Sequence, residues 1–267
     1  MFPTIDPTTA TVITQVSEAD AEDVNTAVAA ARKAFENRTW SAISPVERAR
    51  LLLRVADLIE ANAEKLATIE CLDNGMLLQN AYIFVAGAAA CFRYYAGWTT
   101  KLHGDTNPST PDVLNDTIRQ PLGVCALIIP WNVALSAAAM KIAPDLACGN
   151  TVILKPAEQT PLTALVLGQL ILDAGIPPGV VNIITGFGET AGAALSNHPN
   201  VDKGAFTGST GVGKHICRQN SPPCGPRWHG IKLFRDSRLS KRRPIGANGA
   251  PALNWRFERS SILRPPA

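Results

Sequence analysis

The chain has 267 residues, 46% of them hydrophobic, with a formal charge of +3, enough for a substantial core in one or two domains. No apolar run reaches the roughly 20 residues that span a bilayer, and the amino terminus has neither a basic nor an apolar leader segment, which reads as a cytoplasmic protein without a membrane partner. Six cysteines without C-x-x-C spacing give no metal framework and fit a reducing compartment.

The first hundred residues read as helical. Val24, Ala27, Val28, Ala31 and Phe35 recur at helical spacing behind Asp20, an N-cap, with Asp23 placed against the positive helix end. Ser44-Pro45-Val46-Glu47 has the form of a capping box with Pro at N1, ahead of Leu51, Leu52, Val55, Leu58 and Ile59 on one face. A third helix ends at Gly75 and a fourth runs from about Gln79 to Gly97. Residues 102–120 are too polar for a core helix and read as an exposed hairpin arm.

After Pro121 the texture becomes βαβ. Short apolar runs at 124–129, 151–154, 180–184 and 203–207 alternate with small-residue or apolar helices at 134–147 and 161–174, the latter closed by Gly175. The fold class expected is α/β: a Rossmann-like, doubly wound parallel sheet preceded by N-terminal helices. Ligands of such sheets lie beyond the carboxyl ends of the strands, which gives the residues after each strand the most weight.

Gly208-Ser209-Thr210-Gly211-Val212-Gly213-Lys214 follows the last strand and should open a helix, where backbone N–H groups and the helix dipole suit a phosphate or pyrophosphate. The same residues spell G-x-x-x-x-G-K, but His215 lacks the hydroxyl that a P-loop places on magnesium, so the NTPase reading is the weaker one. Lys155 and Glu158, three apart beyond a strand end, could hydrogen-bond ribose hydroxyls, and the carboxylate would repel a 2′-phosphate, favouring NAD over NADP. In isolation, a solvated turn explains the same tetrapeptide. Pro130-Trp131-Asn132 ends the first strand of the sheet, and an amide held there could donate to a developing oxyanion. Trp131, Met140 and Trp98 read as core packing before they read as the mouth of a substrate pocket.

Together these segments carry a resemblance. Pro-Leu-Gly-Val-Cys and Ile-Ile-Pro-Trp-Asn within 121–132, Leu-Ala-Cys-Gly-Asn-Thr-Val-Ile-Leu-Lys-Pro-Ala-Glu at 146–158, Gly-Phe-Gly at 186–188 and Phe-Thr-Gly-Ser-Thr at 206–210 resemble the aldehyde dehydrogenase superfamily, over about residues 2–216. The resemblance implies NAD(P)-dependent oxidation of an aldehyde to a carboxylic acid. It also implies an NAD domain, a catalytic domain and an oligomerisation arm, the arm matching 102–120. Ile128, Ile129, Pro130, Trp131, Lys155, Glu158, Gly188, Phe206, Gly208 and Ser209 are implied as cofactor contacts. Thr210, Gly211, Val212 and Gly213 complete their loop, and Asn132 is implied as the oxyanion donor. An aldehyde and further copies or relatives of the chain would be the partners.

The family's nucleophilic Cys and its water-activating Glu, the latter in a Leu-Glu-Leu-Gly-Gly run, have no counterpart in residues 217–267. Cys217 and Cys224 lie too close to the NAD motif to serve and read as structural or incidental. Composition also breaks here. Residues 1–217 carry 14 Lys or Arg against 20 acids, whereas residues 218–267 carry nine Arg and two Lys against two acids, with seven Pro. The expected organisation is a dehydrogenase-like region, 1–216, followed by a disordered or frame-shifted tail, 217–267. Scattered Arg and Pro without aromatic order do not make a nucleic-acid surface. Two functions follow: a dehydrogenase-like chain that does not turn over by itself, or a non-catalytic module that pairs with full-length relatives through its arm.

Overall fold

The computed structural model describes residues 1–219, 227–228 and 232–234. The expectation for most of the tail, Cys224 included, lies outside the described residues. The chain opens with a feature the sequence reading missed. Strands β1 (Phe2–Ile5) and β2 (Val12–Val16) form an antiparallel hairpin. Asp6 builds its turn by accepting from the Thr8 N–H at 2.8 Å and the Thr9 hydroxyl at 2.9 Å. Few of its side chains are buried, Phe2, Thr4 and Val16 among them, so it left little apolar signal.

Helices α1 (Ala21–Glu36), α2 (Pro45–Ala61), α3 (Ala63–Asn74) and α4 (Leu78–Ala96) follow. Asp20 caps α1 in a full capping box with Asp23. At α2 only half of the expected box forms. The Ser44 hydroxyl accepts from the Glu47 N–H at 3.1 Å, but the Glu47 carboxylate turns to Arg50 at 3.0 Å. Gly75 ends α3 in the left-handed conformation, φ 75°. The 102–120 stretch is an exposed arm in which β3 (Thr106–Asn107) pairs antiparallel with β4 (Asn115–Asp116).

The parallel sheet contains β5 (Val124–Ile128), β6 (Thr151–Lys155), β7 (Val181–Ile183) and β8 (Lys203–Ser209), with α5 (Ala134–Ala147) and α6 (Leu162–Asp173) as the first two crossovers. A π-helical turn (Gly188–Gly192) and α7 (Ala193–Ser196) lead from β7 to β8. The order β8-β5-β6-β7 means that the chain moves outward from β5 and then returns to its other side. The topological switch point therefore lies between β5 and β8. Short strands β9 (Arg227–Trp228) and β10 (Lys232–Phe234) add parallel to β8, and α8 (Thr210–Gln219) starts directly after it.

Period-two alternation in β5 decides which helices cover which face. Cys125 and Leu127 join Val152 and Leu154 in a large core with α2 to α6, centred on Leu52, Phe92, Ile142 and Leu167. Val124 and Ala126 join Ile153 in a smaller core against Val24, Val28 and Ala31 of α1 and Leu195 of α7. Both faces are covered, as a parallel sheet requires.

At the amino-terminal edge of the sheet, buried Asp145 accepts from Lys203 Nζ at 2.7 Å and from Asn150 Nδ2 at 3.1 Å. Asn150 Oδ1 in turn accepts from the Leu122 and Gly123 N–H groups at 2.7 and 3.2 Å. This network ties α5 to the starts of β5, β6 and β8, leaving the opposite edge free for ligand chemistry.

Candidate functional site

The site residues gather at the carboxyl edge of the sheet. In the strand register Ile128 pairs with Lys155 on one side and with Phe206 on the other, so three expected cofactor contacts stand side by side across the switch point. Ile129 donates its N–H to the Lys155 carbonyl at 3.2 Å, and Pro130, with no N–H, carries the chain out of the sheet. Phe187 and Gly188 leave β7 at the same edge.

The strand runs two residues further than expected: β8 continues through Gly208 and Ser209, alongside β10, and the helix opens at Thr210, inside the glycine stretch as expected. Ser209 still serves the helix, its hydroxyl accepting from the Val212 N–H at 3.3 Å. Gly208 is required by packing, since a Cβ there would lie 2.5 Å from the Phe206 ring. A Cβ on Gly211 would meet nothing within 4 Å, so the start of α8 faces open space. The first turn of a helix, with its N–H groups and the positive end of its dipole, is the kind of backbone that can hold an anion.

Lys155 is buried and its Nζ lies 3.2 Å from Glu158 Oε2. Burial pushes the Lys155 ammonium below its ordinary pKa, against the pull of Glu158. Burial alone would raise the Glu158 carboxyl, but its own N–H and the Lys155 charge together hold it below the ordinary range. The pair is thus a fixed carboxylate beside a desolvated amine, two polar groups suited to a vicinal diol.

Trp131 is 57% exposed, and Met140 and Trp98 are exposed as well, which corrects the expectation of core packing for all three. Trp131 instead follows a turn pinned from outside. Asn74 Nδ2 donates to the Trp131 carbonyl at 3.3 Å and to the Asn132 carbonyl at 3.0 Å, and the Thr160 hydroxyl donates to the Trp131 carbonyl at 3.1 Å. The Asn132 side chain is exposed at the start of α5.

Apart from Thr160, the supports come from α3, and the sequence reading missed them. Glu70 accepts from the Leu135 N–H at 2.8 Å and the Thr163 hydroxyl at 2.9 Å, while Asp73 accepts from the Leu162 N–H at 2.9 Å. One helix end thereby caps α5 and α6, neither of which has a side-chain cap of its own. Burial raises the Glu70 carboxyl, against those two donors. Asp73 is pushed up to about 7 by burial, against the Leu162 N–H and with the help of the Glu70 charge. Asp73 Oδ1 is buried without a hydrogen-bond partner. A cavity of about 630 Å³ lies beside it, lined among others by Phe2, Thr4, Trp131, Glu158 and Phe187. The available signal was electrostatic: acids in the last turn of a helix oppose its dipole and must serve another element.

A doubly wound parallel sheet with a glycine-rich helix start at its switch point is the architecture of the dinucleotide-binding fold class. The comparisons carry the identification further. The aldehyde dehydrogenase family model matches residues 1–226, and the chain belongs to that family. It is 54% identical over 216 residues to aldehyde dehydrogenase family 2 member B4, mitochondrial, of Arabidopsis thaliana, covering 80% of this chain and 40% of the relative. It is 52% identical over 217 residues to aldehyde dehydrogenase 1A1 of Rattus norvegicus, covering 80% of this chain and 43% of the relative. The NAD+ complex of aldehyde dehydrogenase from Bacillus cereus superposes with a TM-score of 0.81 at 49% identity, covering 82% of this chain and 45% of that one. The chain thus spans less than half the length of these relatives.

Proposed function

We propose that the carboxyl edge of the sheet binds NAD and that the chain supplies the cofactor half of an aldehyde-oxidising enzyme. The observation that carries this reading is the Lys155, Ile128 and Phe206 row across the switch point beside the open start of α8. The diphosphate belongs at the N–H groups of residues 209–213 and the ribose hydroxyls at Lys155 and Glu158. Ile128, Ile129, Pro130, Trp131, Gly188 and Phe206 form the surrounding wall. The Glu158 carboxylate beside the ribose position favours NAD over NADP, since a 2′-phosphate would meet a like charge. NAD accepts hydride when bound, and the side-chain amide of Asn132 would donate to the oxygen of the reacting carbonyl.

The family reaction also needs a thiolate and a water-activating carboxylate, and residues 217–267 contain neither the Gly-Gln-x-Cys nor the Leu-Glu-Leu-Gly-Gly context. We therefore expect this chain alone to bind NAD without oxidising aldehydes. Calorimetric titration with NAD, followed by an absorbance assay for NADH with a panel of aldehydes, tests both halves. Binding without turnover is the expected result. Turnover that persists in Cys217→Ser/Cys224→Ser would refute the second half.

A second reading is favoured by the arm, where Leu114 is 81% and Ile118 66% exposed. Such side chains suit pairing with another copy or with a full-length relative. Co-purification with an intact relative, lost on deletion of 102–120, is its test. A cytoplasmic location belongs to the same proposal. It is supported by the reduced thiols at Cys71, Cys91, Cys125 and Cys148. Among the described residues no helix is long and apolar enough to cross a membrane, and no cluster of His, Cys, Asp or Glu could hold a metal.

A further inference from the structure

Lys141 has no place in the reading above, yet it lies at the centre of the switch point. It projects from α5, and its Nζ donates to the Ile128 carbonyl at 2.6 Å and to the Ala205 carbonyl at 2.9 Å. These carbonyls belong to different strands at the point where the strands part. Ile128 and Phe206 are the last paired residues of β5 and β8, after which one strand leaves through Pro130 and the other continues to Ser209.

We propose that Lys141 is a positioning residue for the dinucleotide edge, tying the ends of β5 and β8 together and fixing how far they spread beneath the ligand. The proposal rests on reading this edge as the NAD site. Two of the cofactor contacts, Ile128 and Phe206, are within one residue of the tied carbonyls, so a change in strand separation moves both walls of the cleft. The charged groups around the amine are Lys203 of β8 and Asp145 of α5. Burial first, and then the like charge of Lys203, lower the Lys141 pKa to about 7, against Asp145. Either protonation state retains enough N–H groups for both carbonyls. The tie therefore holds on both sides of neutrality, whereas a side chain of similar length without a donor abolishes it.

The test compares the full chain with Lys141→Met and Lys141→Arg, measuring NAD affinity by calorimetry and backbone amide exchange without ligand. Lys141→Met is expected to weaken NAD binding about tenfold, the equivalent of one charge-assisted hydrogen bond. It should also speed exchange at residues 128–130 and 205–208 while leaving β7 unchanged. Lys141→Arg, which restores donors, should recover most of the affinity. Wild-type affinity and exchange in Lys141→Met would overturn the proposal, as would an Arg variant as weak as Met. If Lys141→Met does not fold, Lys141→Gln, with a donor for one carbonyl, is judged by the same criteria. A wild-type chain that fails to bind NAD sinks the underlying site reading and the proposal with it; a wild-type chain that binds NAD no tighter than Lys141→Met sinks the proposal alone.

Discussion

Replacing Lys203 by Met breaks the buried ion pair at the amino-terminal edge of the sheet. The Nζ to Oδ1 distance is 2.7 Å, and both side chains are nearly inaccessible. Burial alone would lower the Lys203 ammonium, but the Asp145 charge outweighs it and holds the pKa above its ordinary range. At an effective dielectric of about 20 the gross attraction at that distance is roughly 6 kcal/mol. Desolvation offsets much of this, so the pair itself adds little. Removing one partner is different, because Asp145 already has one oxygen, Oδ2, without a partner and would be left as an uncompensated buried charge. The expected loss is about 3 to 5 kcal/mol, a large share of the roughly 5 to 15 kcal/mol that stabilises a domain. Urea unfolding followed by far-UV circular dichroism should show it as a lower midpoint with an unchanged slope. Asp145→Asn in the same chain removes the stranded charge and can still accept from Asn150, so the double variant should recover most of the loss. A Lys203→Met loss below about 1 kcal/mol, or a double variant that loses the sum of the two single losses, would refute the reasoning.

Other consequences can be checked in the same protein. Asp73, with a folded pKa of about 7 against an ordinary 3.8, is a carboxyl whose pKa is raised by folding. Its contribution to stability is complete below about pH 4 and is lost as the pH rises through 7; Asp73→Asn should flatten the fall in unfolding free energy between about pH 4 and 7, as followed by denaturant titration in that range. Asp20→Ala removes a capping box and should cost about 1 to 2 kcal/mol, read by thermal unfolding corrected to a common temperature. Glu158→Gln should raise NADP affinity relative to NAD by about tenfold, measured by competitive titration, because one like charge is removed from beside the 2′ position.

The sheet was legible in the sequence because its strands are buried on both faces and read as unbroken apolar runs ending at Ile129, Leu154 and Ile184. The helices were legible through their period and caps, Asp20 and Gly75 above all. Two kinds of feature were not. The β1–β2 hairpin is mostly exposed and leaves no apolar period, and half of the α2 box is missing because the Glu47 carboxylate pairs with Arg50. The site divides similarly. Residues at the carboxyl ends of strands, such as Lys155 and Gly208, are placed by topology and could be named in advance. The supports at Glu70, Asp73, Asn74 and Lys141 act across the fold, 60 or so positions from some of their partners, and the only local trace is the acids set against the dipole at the end of α3. Trp131 was misjudged because an aromatic after an apolar strand resembles core until the turn at Pro130 is seen to carry it outward.

The most direct test of the central claim is amide chemical-shift mapping of the isotopically labelled chain during titration with NAD. Saturable shifts are predicted at residues 208–213 at the start of α8, at Ile128, Ile129 and Trp131, and at Lys155 and Glu158. No shifts at millimolar NAD, or shifts confined to residues 2–7 and Asp73 on the far wall of the cavity, would contradict it.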